Sequence, residues 1–126
     1  MDSQRRVLVL GPMPMRAVVS IAGNYTGTLW DSISGSGIMK GLIVQNGMTI
    51  TGTLQTTFQN GRPSDSGTVA GTFDGQSLVL TFTSSNPMAC PGHATATRVS
   101  DTRFTGTYTA VNCPVAVSGR FDISRQ

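Results

Sequence analysis

The sequence predicts an all-β fold: an antiparallel up-and-down meander of about eight strands closed into a barrel. Three observations carry this reading. Apolar and polar residues alternate at period two through nearly the whole chain, the pattern of strands with one buried face. Asn46-Gly47 and Asp74-Gly75 each interrupt that alternation, and an Asx-Gly pair between alternating runs is the strongest short-range hairpin signal, because central turn residues there take positive φ. A short phrase also recurs, as Thr26-Gly27-Thr28-Leu29, Thr51-Gly52-Thr53-Leu54, Ala70-Gly71-Thr72-Phe73, Thr105-Gly106-Thr107-Tyr108 and Ser118-Gly119-Arg120-Phe121. Glycine inside a strand weakens it, so its recurrence implies a bend or a close approach of backbones, as where a sheet curls shut.

The turn signals divide the chain into strands at about 24–31, 38–45, 48–58, 66–73, 77–84, 94–99, 104–110 and 116–124. With Asn46-Gly47 as a two-residue turn, Ile43 faces Ile50, Gly41 faces Gly52 and Met39 faces Leu54. With Asp74-Gly75 as the next, Gly71 faces Leu78, Val69 faces Leu80 and Gly67 faces Phe82. Ser100 to Arg103 would join a third hairpin in which Val99 faces Phe104. These registers put Tyr25, Leu29, Ile43, Ile50, Leu54, Phe58, Val69, Phe73, Leu80, Phe82, Thr95, Thr97, Val99, Phe104, Tyr108, Phe121 and Ile123 inside. Glycines fall on the same face, and we expect them to leave inward positions empty and so to favour a cavity. The outer face receives Trp30 and most of the threonines, together with Ile38, Leu42 and Val44 on one strand.

Composition excludes several classes. Among 126 residues there are 17 Thr and 15 Gly, one Lys and no Glu, which rules out helical bundles and coiled coils. No apolar run approaches the ~18 residues of a membrane-spanning helix. The net charge of +3 owes much to Arg5, Arg6 and Arg16; the body is nearly neutral and lacks the clustered cations and stacking aromatics of a nucleic-acid surface. We expect residues 1–16 to form an N-terminal arm or extra edge strand, and residues 17–126 a single barrel domain. Arg5-Arg6-Val7-Leu8-Val9-Leu10 has the order of a secretory signal, but Gly11, Pro12 and Pro14 break its apolar run too early for a convincing one.

The register from Val99 and Phe104 sets Cys90 opposite Cys113, within reach of a disulfide, which suggests an exported, periplasmic or extracellular protein. Cys90-Pro91-Gly92-His93 would suit a metal half-site, but the chain has no second histidine, and we expect no metal. The six Asp sit at the N-terminus, in turns or on outer positions. Asp31 alone has inward parity, so no inward pair of carboxylates for acid–base catalysis is visible.

Gly27 to Leu54 and Phe104-Thr105-Gly106-Thr107-Tyr108-Thr109-Ala110-Val111 resemble strands of avidin and streptavidin, and the 24–124 meander resembles small bacterial lipocalin-like barrels. The resemblance implies an eight-stranded barrel with a ligand in its mouth. It does not extend to biotin, because that site uses several tryptophans and this chain has only Trp30. The favoured function is therefore a non-enzymatic module binding a small apolar or amphipathic ligand, oriented by Tyr25, Gln45, Thr56, Thr95, Thr97 and Tyr108, without a cofactor. The alternatives are an enzyme that uses the cavity as a shaped chamber, of cyclase or isomerase type, and a structural protein with a filled core. A homo-oligomer contact is expected on the outer face of strand 38–45 or on the N-terminal arm.

Overall fold

The computed structural model describes residues 19–59, 64–86, 90–110 and 116–126. Eight strands follow one another: β1 (Gly23–Asp31), β2 (Gly35–Asn46), β3 (Thr49–Phe58), β4 (Asp65–Phe73), β5 (Ser77–Ser84), β6 (Gly92–Arg98), β7 (Arg103–Ala110) and β8 (Val117–Arg125). Each pairs antiparallel with the next, and β1 pairs with β8, so the sheet closes into a barrel. Tyr25 lies opposite Gly41, Gly41 opposite Leu54, Leu54 opposite Gly67 and Gly67 opposite Ser84. A row of partners that starts near the beginning of β1 thus ends on the last residue of β5, and this stagger is the strand tilt that closure requires.

At one rim β2–β3, β4–β5 and β6–β7 are joined by tight turns, and this end is packed shut. Phe73 and Phe104 are fully buried and meet edge to face with centroids 5.8 Å apart, and Tyr25 meets Phe104 at 6.1 Å. Such pairs add about 0.5–1.5 kcal/mol each to the burial of their apolar area. The segment before β1 forms the floor. Ile21 is fully buried, and three side chains hold its backbone. Its N–H donates to Gln45 Oε1 (2.6 Å), its carbonyl accepts from Tyr25 Oη (2.8 Å), and Arg125 Nη1 donates to the carbonyls of Ser20 and Ala22 (3.2 Å each).

The strand positions agree closely with the sequence reading, but the registers differ. Asn46 pairs with Thr49, and the N–H of Asp74 reaches the carbonyl of Ser77 at 3.2 Å, so the loops are Gly47-Met48 and Gly75-Gln76. Glycine occupies the first loop position with φ of 62° and 105°, as in a type II′ turn, which needs positive φ only there. Both pairings consequently shift by two residues: Ile43 faces Gly52, Gly41 faces Leu54, Val69 faces Phe82 and Gly71 faces Leu80. A shift of two preserves the face, so the expected core of these strands survives.

The third hairpin slips by one. Arg98, not Val99, faces Phe104. Every side chain of β6 therefore reverses: Ala94, Ala96 and Arg98 turn inward, while Thr95 and Thr97 are exposed and Val99 is 49% exposed. The register that set Cys90 opposite Cys113 fails with it, and Cys113 lies outside the described residues, as does the arm at 1–16. Ile38, Leu42 and Val44 do lie outside, 48%, 41% and 50% exposed.

The inward glycines are also not vacancies. A Cβ on Gly52 would overlap the carbonyl oxygen of Leu42, and one on Gly71 that of Val79; Gly27, Gly67 and Gly106 meet neighbouring-strand carbonyls in the same way. Backbone has moved into the space a side chain would take, which is how the strands coil tightly enough to close. Gly52→Ala should therefore cost at least ~1–3 kcal/mol through forced displacement of β2, whereas Thr53→Ala, on the outer face, should cost less than ~1 kcal/mol. Denaturant unfolding of the two variants measures the difference, and equal losses would contradict the close approach.

Candidate functional site

The rim opposite the floor carries the β1–β2, β3–β4, β5–β6 and β7–β8 connections, of which residues 60–63, 87–89 and 111–115 lie outside the described residues. A cavity of about 270 Å³ runs inward from it. Leu29, Leu54, Phe58, Leu80, Phe82, Phe121 and Ile123 make its wall largely apolar; Asp31, Ser34, Thr56, Asp65, Cys90 and Tyr108 supply the polar groups.

Asp31 and Tyr108 form the best-defined of these. Asp31 ends β1, pairs with Gly35 across the β1–β2 turn and is 6% exposed. Its Oδ1 accepts the N–H groups of Ile33 (2.8 Å) and Ser34 (2.5 Å), which fixes the turn, and its Oδ2 accepts the Tyr108 hydroxyl (2.8 Å). Gly119 on β8 pairs with Asp31 on one side and Tyr108 on the other. A Cβ there would lie 2.5 Å from the Tyr108 ring. The ring thus crosses the strand between at the one place where no side chain blocks it. Phe121 packs against it with centroids 6.4 Å apart.

Thr56 is 9% exposed and borders the cavity, between Met39 and Asp65 in the register. Its hydroxyl has no hydrogen-bond partner among the described residues. Asp65 Oδ1 accepts from the Ser84 hydroxyl (2.6 Å) and the Ser66 N–H (2.8 Å).

Of the six residues expected to orient a ligand, the structure brings Thr56 and Tyr108 together in the half opposite the floor. Tyr25 borders the cavity by its ring, but its hydroxyl is committed to Ile21. Gln45 sits at the floor, with Nε2 donating to the carbonyls of Val19 (3.1 Å) and Gly47 (2.9 Å). Thr95 and Thr97 lie on the outer face and do not reach the interior. Cys90 borders the cavity, whereas His93, beyond Gly92 on β6, is exposed outside. No group of three metal-binding side chains occurs among the described residues, and they contain no helix long and apolar enough to cross a membrane. Asp31 and Asp65 are the residues the sequence reading passed over. The inward parity of Asp31, three residues before Ser34, was the available signal.

Trp30 lies on the outer face beneath the Arg120 guanidinium, 4.7 Å from its ring centroid, so no aromatic box forms inside. No family model matches the chain, and no curated protein does. Solved structures do match in fold. EF1p2_mFAP2b bound to DFHBI superposes with a TM-score of 0.72 at 16% identity, covering 84% of this chain and 94% of that one. The redesigned β-barrel mFAP1, bound to DFHBI, gives 0.68 at 18% identity over 83% and 94%. The redesigned β-barrel b11L5F_LGL gives 0.66 at 18% identity over 84% and 91%. The chain therefore shares the fold of small barrels, two of which hold DFHBI.

Both phenols are held above their ordinary value near 10, Tyr108 by burial and then by the Asp31 carboxylate, Tyr25 by burial opposed by Arg125 and Arg98. The unfolded chain loses these protons first, so their contribution is complete below about pH 10 and falls as the pH rises above it. Denaturation midpoints should be level to about pH 10 and then decline, and Tyr108→Phe should decline less steeply, at a cost of ~1 kcal/mol at neutral pH. Parallel alkaline limbs would show that the Tyr108 phenol is not so held.

Proposed function

We propose that the protein binds a small, mostly apolar molecule in the half of the barrel opposite the floor and releases it unchanged. The observation that carries this reading is the cavity itself: apolar walls, one deep end sealed by Ile21 and its holders, and a few polar groups gathered near the mouth. That is the arrangement of a ligand pocket, at the small end of the usual ~300–1,000 Å³ range. The DFHBI-bound neighbours support it by analogy of fold. Cys90 borders the same cavity, and its pairing with Cys113, with export through an oxidising compartment, belongs to the proposal.

N-phenyl-1-naphthylamine, a neutral fluorophore that brightens on leaving water, tests the reading. The protein should enhance its emission saturably. Ala94 lies inward between Leu80 and Tyr108, so Ala94→Phe should fill the cavity and abolish the enhancement with the melt cooperative, while Thr95→Phe, one residue on and outside, should retain it. No saturable uptake, or equal uptake by Ala94→Phe, would favour the filled structural barrel; a ligand recovered chemically altered would favour the chamber enzyme. For the cysteines, intact mass should rise by two hydrogens on reduction. Two alkylatable thiols in protein from its native compartment would overturn the pairing.

A further inference from the structure

The polar groups of the cavity are unequal in charge, and this bears on the chemistry of what enters. Resting on the binding reading above, we propose that the ligand is an apolar molecule bearing a protonated amine, seated with its nitrogen against the free acceptor position of Asp31 at the barrel mouth.

An ionised carboxylate offers about four acceptor positions. Three are filled at Asp31, by the N–H groups of Ile33 and Ser34 and by the Tyr108 hydroxyl. All three donors are neutral. One position on Oδ2 remains, on a residue that is 6% exposed and forms part of the cavity wall. A buried carboxylate without a cation is expensive, and a charged donor is its natural complement.

The described cations are engaged elsewhere. Arg98 pairs with Asp101 and Arg125 holds the carbonyls of the floor, both at the sealed end. Arg103 pairs with Asp122 and Arg120 lies over Trp30. Lys40 borders the cavity only from the outer face of β2, where it is exposed. Asp65 adds a second carboxylate to the wall, with both of its donors neutral as well. Among the described residues no cation faces either carboxylate from inside the cavity.

A second, independent feature points the same way into the cavity. Thr56 is nine-tenths buried, borders the space, and has an unpartnered hydroxyl. The Thr56 oxygen retains accessible surface, since Arg98 Nε is the one fully buried side-chain atom without a partner among the described residues, and a polar ligand atom can bond it there. Tyr108 acts as a positioning residue: its bond to Oδ2 occupies one side of that oxygen and leaves the other for the ligand.

The test uses a matched set on the full chain: 4-phenylbutylamine, 4-phenylbutan-1-ol and 4-phenylbutanoate, measured by calorimetry and by displacement of N-phenyl-1-naphthylamine at neutral pH. The amine should bind at least about tenfold more tightly than the alcohol, and the carboxylate weakest, as a charge-assisted bond to a buried carboxylate requires. Raising salt should change the amine-to-alcohol ratio little, since buried charges are poorly screened. Asp31→Asn should bring amine and alcohol to within about threefold of each other. Should that variant fail to fold, because Asp31 also fixes its turn, the ligand series on the wild type decides alone. Equal binding of amine and alcohol, or tighter binding of the carboxylate, overturns the inference and leaves the cavity reading standing. Uptake of the fluorophore without displacement by the amine does the same. A protein that takes up neither fails both.

Discussion

Closure of this barrel depends on backbone approaching backbone. At Gly52, Gly71, Gly27, Gly67 and Gly106 the carbonyl of a neighbouring strand occupies the volume a side chain would need, and without that intrusion the strands could not coil enough to bring β8 back to β1. The glycines alternate with large inward residues, so the tight places in the wall and the filled places in the core interlock. At Gly119 the Trp30 carbonyl approaches in the same way and an aromatic ring crosses from the next strand as well, and the polar pair at the mouth follows from that ring.

Much of this was legible in the sequence, for identifiable reasons. Strand positions were readable because each is bounded by a turn signal and carries period-two alternation. The two Asx-Gly hairpins were off by one position in the loop, which shifts partners by two and leaves the faces intact; the hydrophobic pattern is indifferent to that error. The β6–β7 hairpin had no such protection. Its loop carries no Asx-Gly pair, and Ala94-Thr95-Ala96-Thr97 alternates two residues of similar size and weak polarity, so its face hung on Arg98 and Val99. Hydrophobicity alone places the valine inside. The structure places the arginine inward at the sealed end, where its guanidinium reaches Asp101 at 2.9 Å and still leaves Nε buried without a partner.

The candidate site was harder to read, because its members are distinguished by their end of the barrel, not by their face. Tyr25 and Tyr108 are both inward, yet one hydroxyl serves the floor and the other the mouth. Parity along a strand reports the face; only the stagger between strands, which no single hairpin reveals, says which inward residues share a level. Asp31 shows the same gap. Its inward parity is visible in the sequence, but its worth as a polar anchor depends on Tyr108, which lies two strands away around the wall.

The floor has a further consequence for how the chain is made. Residues 20 and 22, which precede the first strand, are gripped by Arg125 near the end of the last one, more than a hundred residues later. During synthesis the first strand must therefore wait, one edge unpaired and its plug held only by Tyr25 and Gln45, until the final strand emerges from the ribosome. Such long-range closure is slow, and an exposed strand edge invites pairing with other chains. The same device makes completion all-or-none: a chain cut short before β8 lacks both the partner for β1 and the clamp for its base, so it would be left open for quality control to recognise.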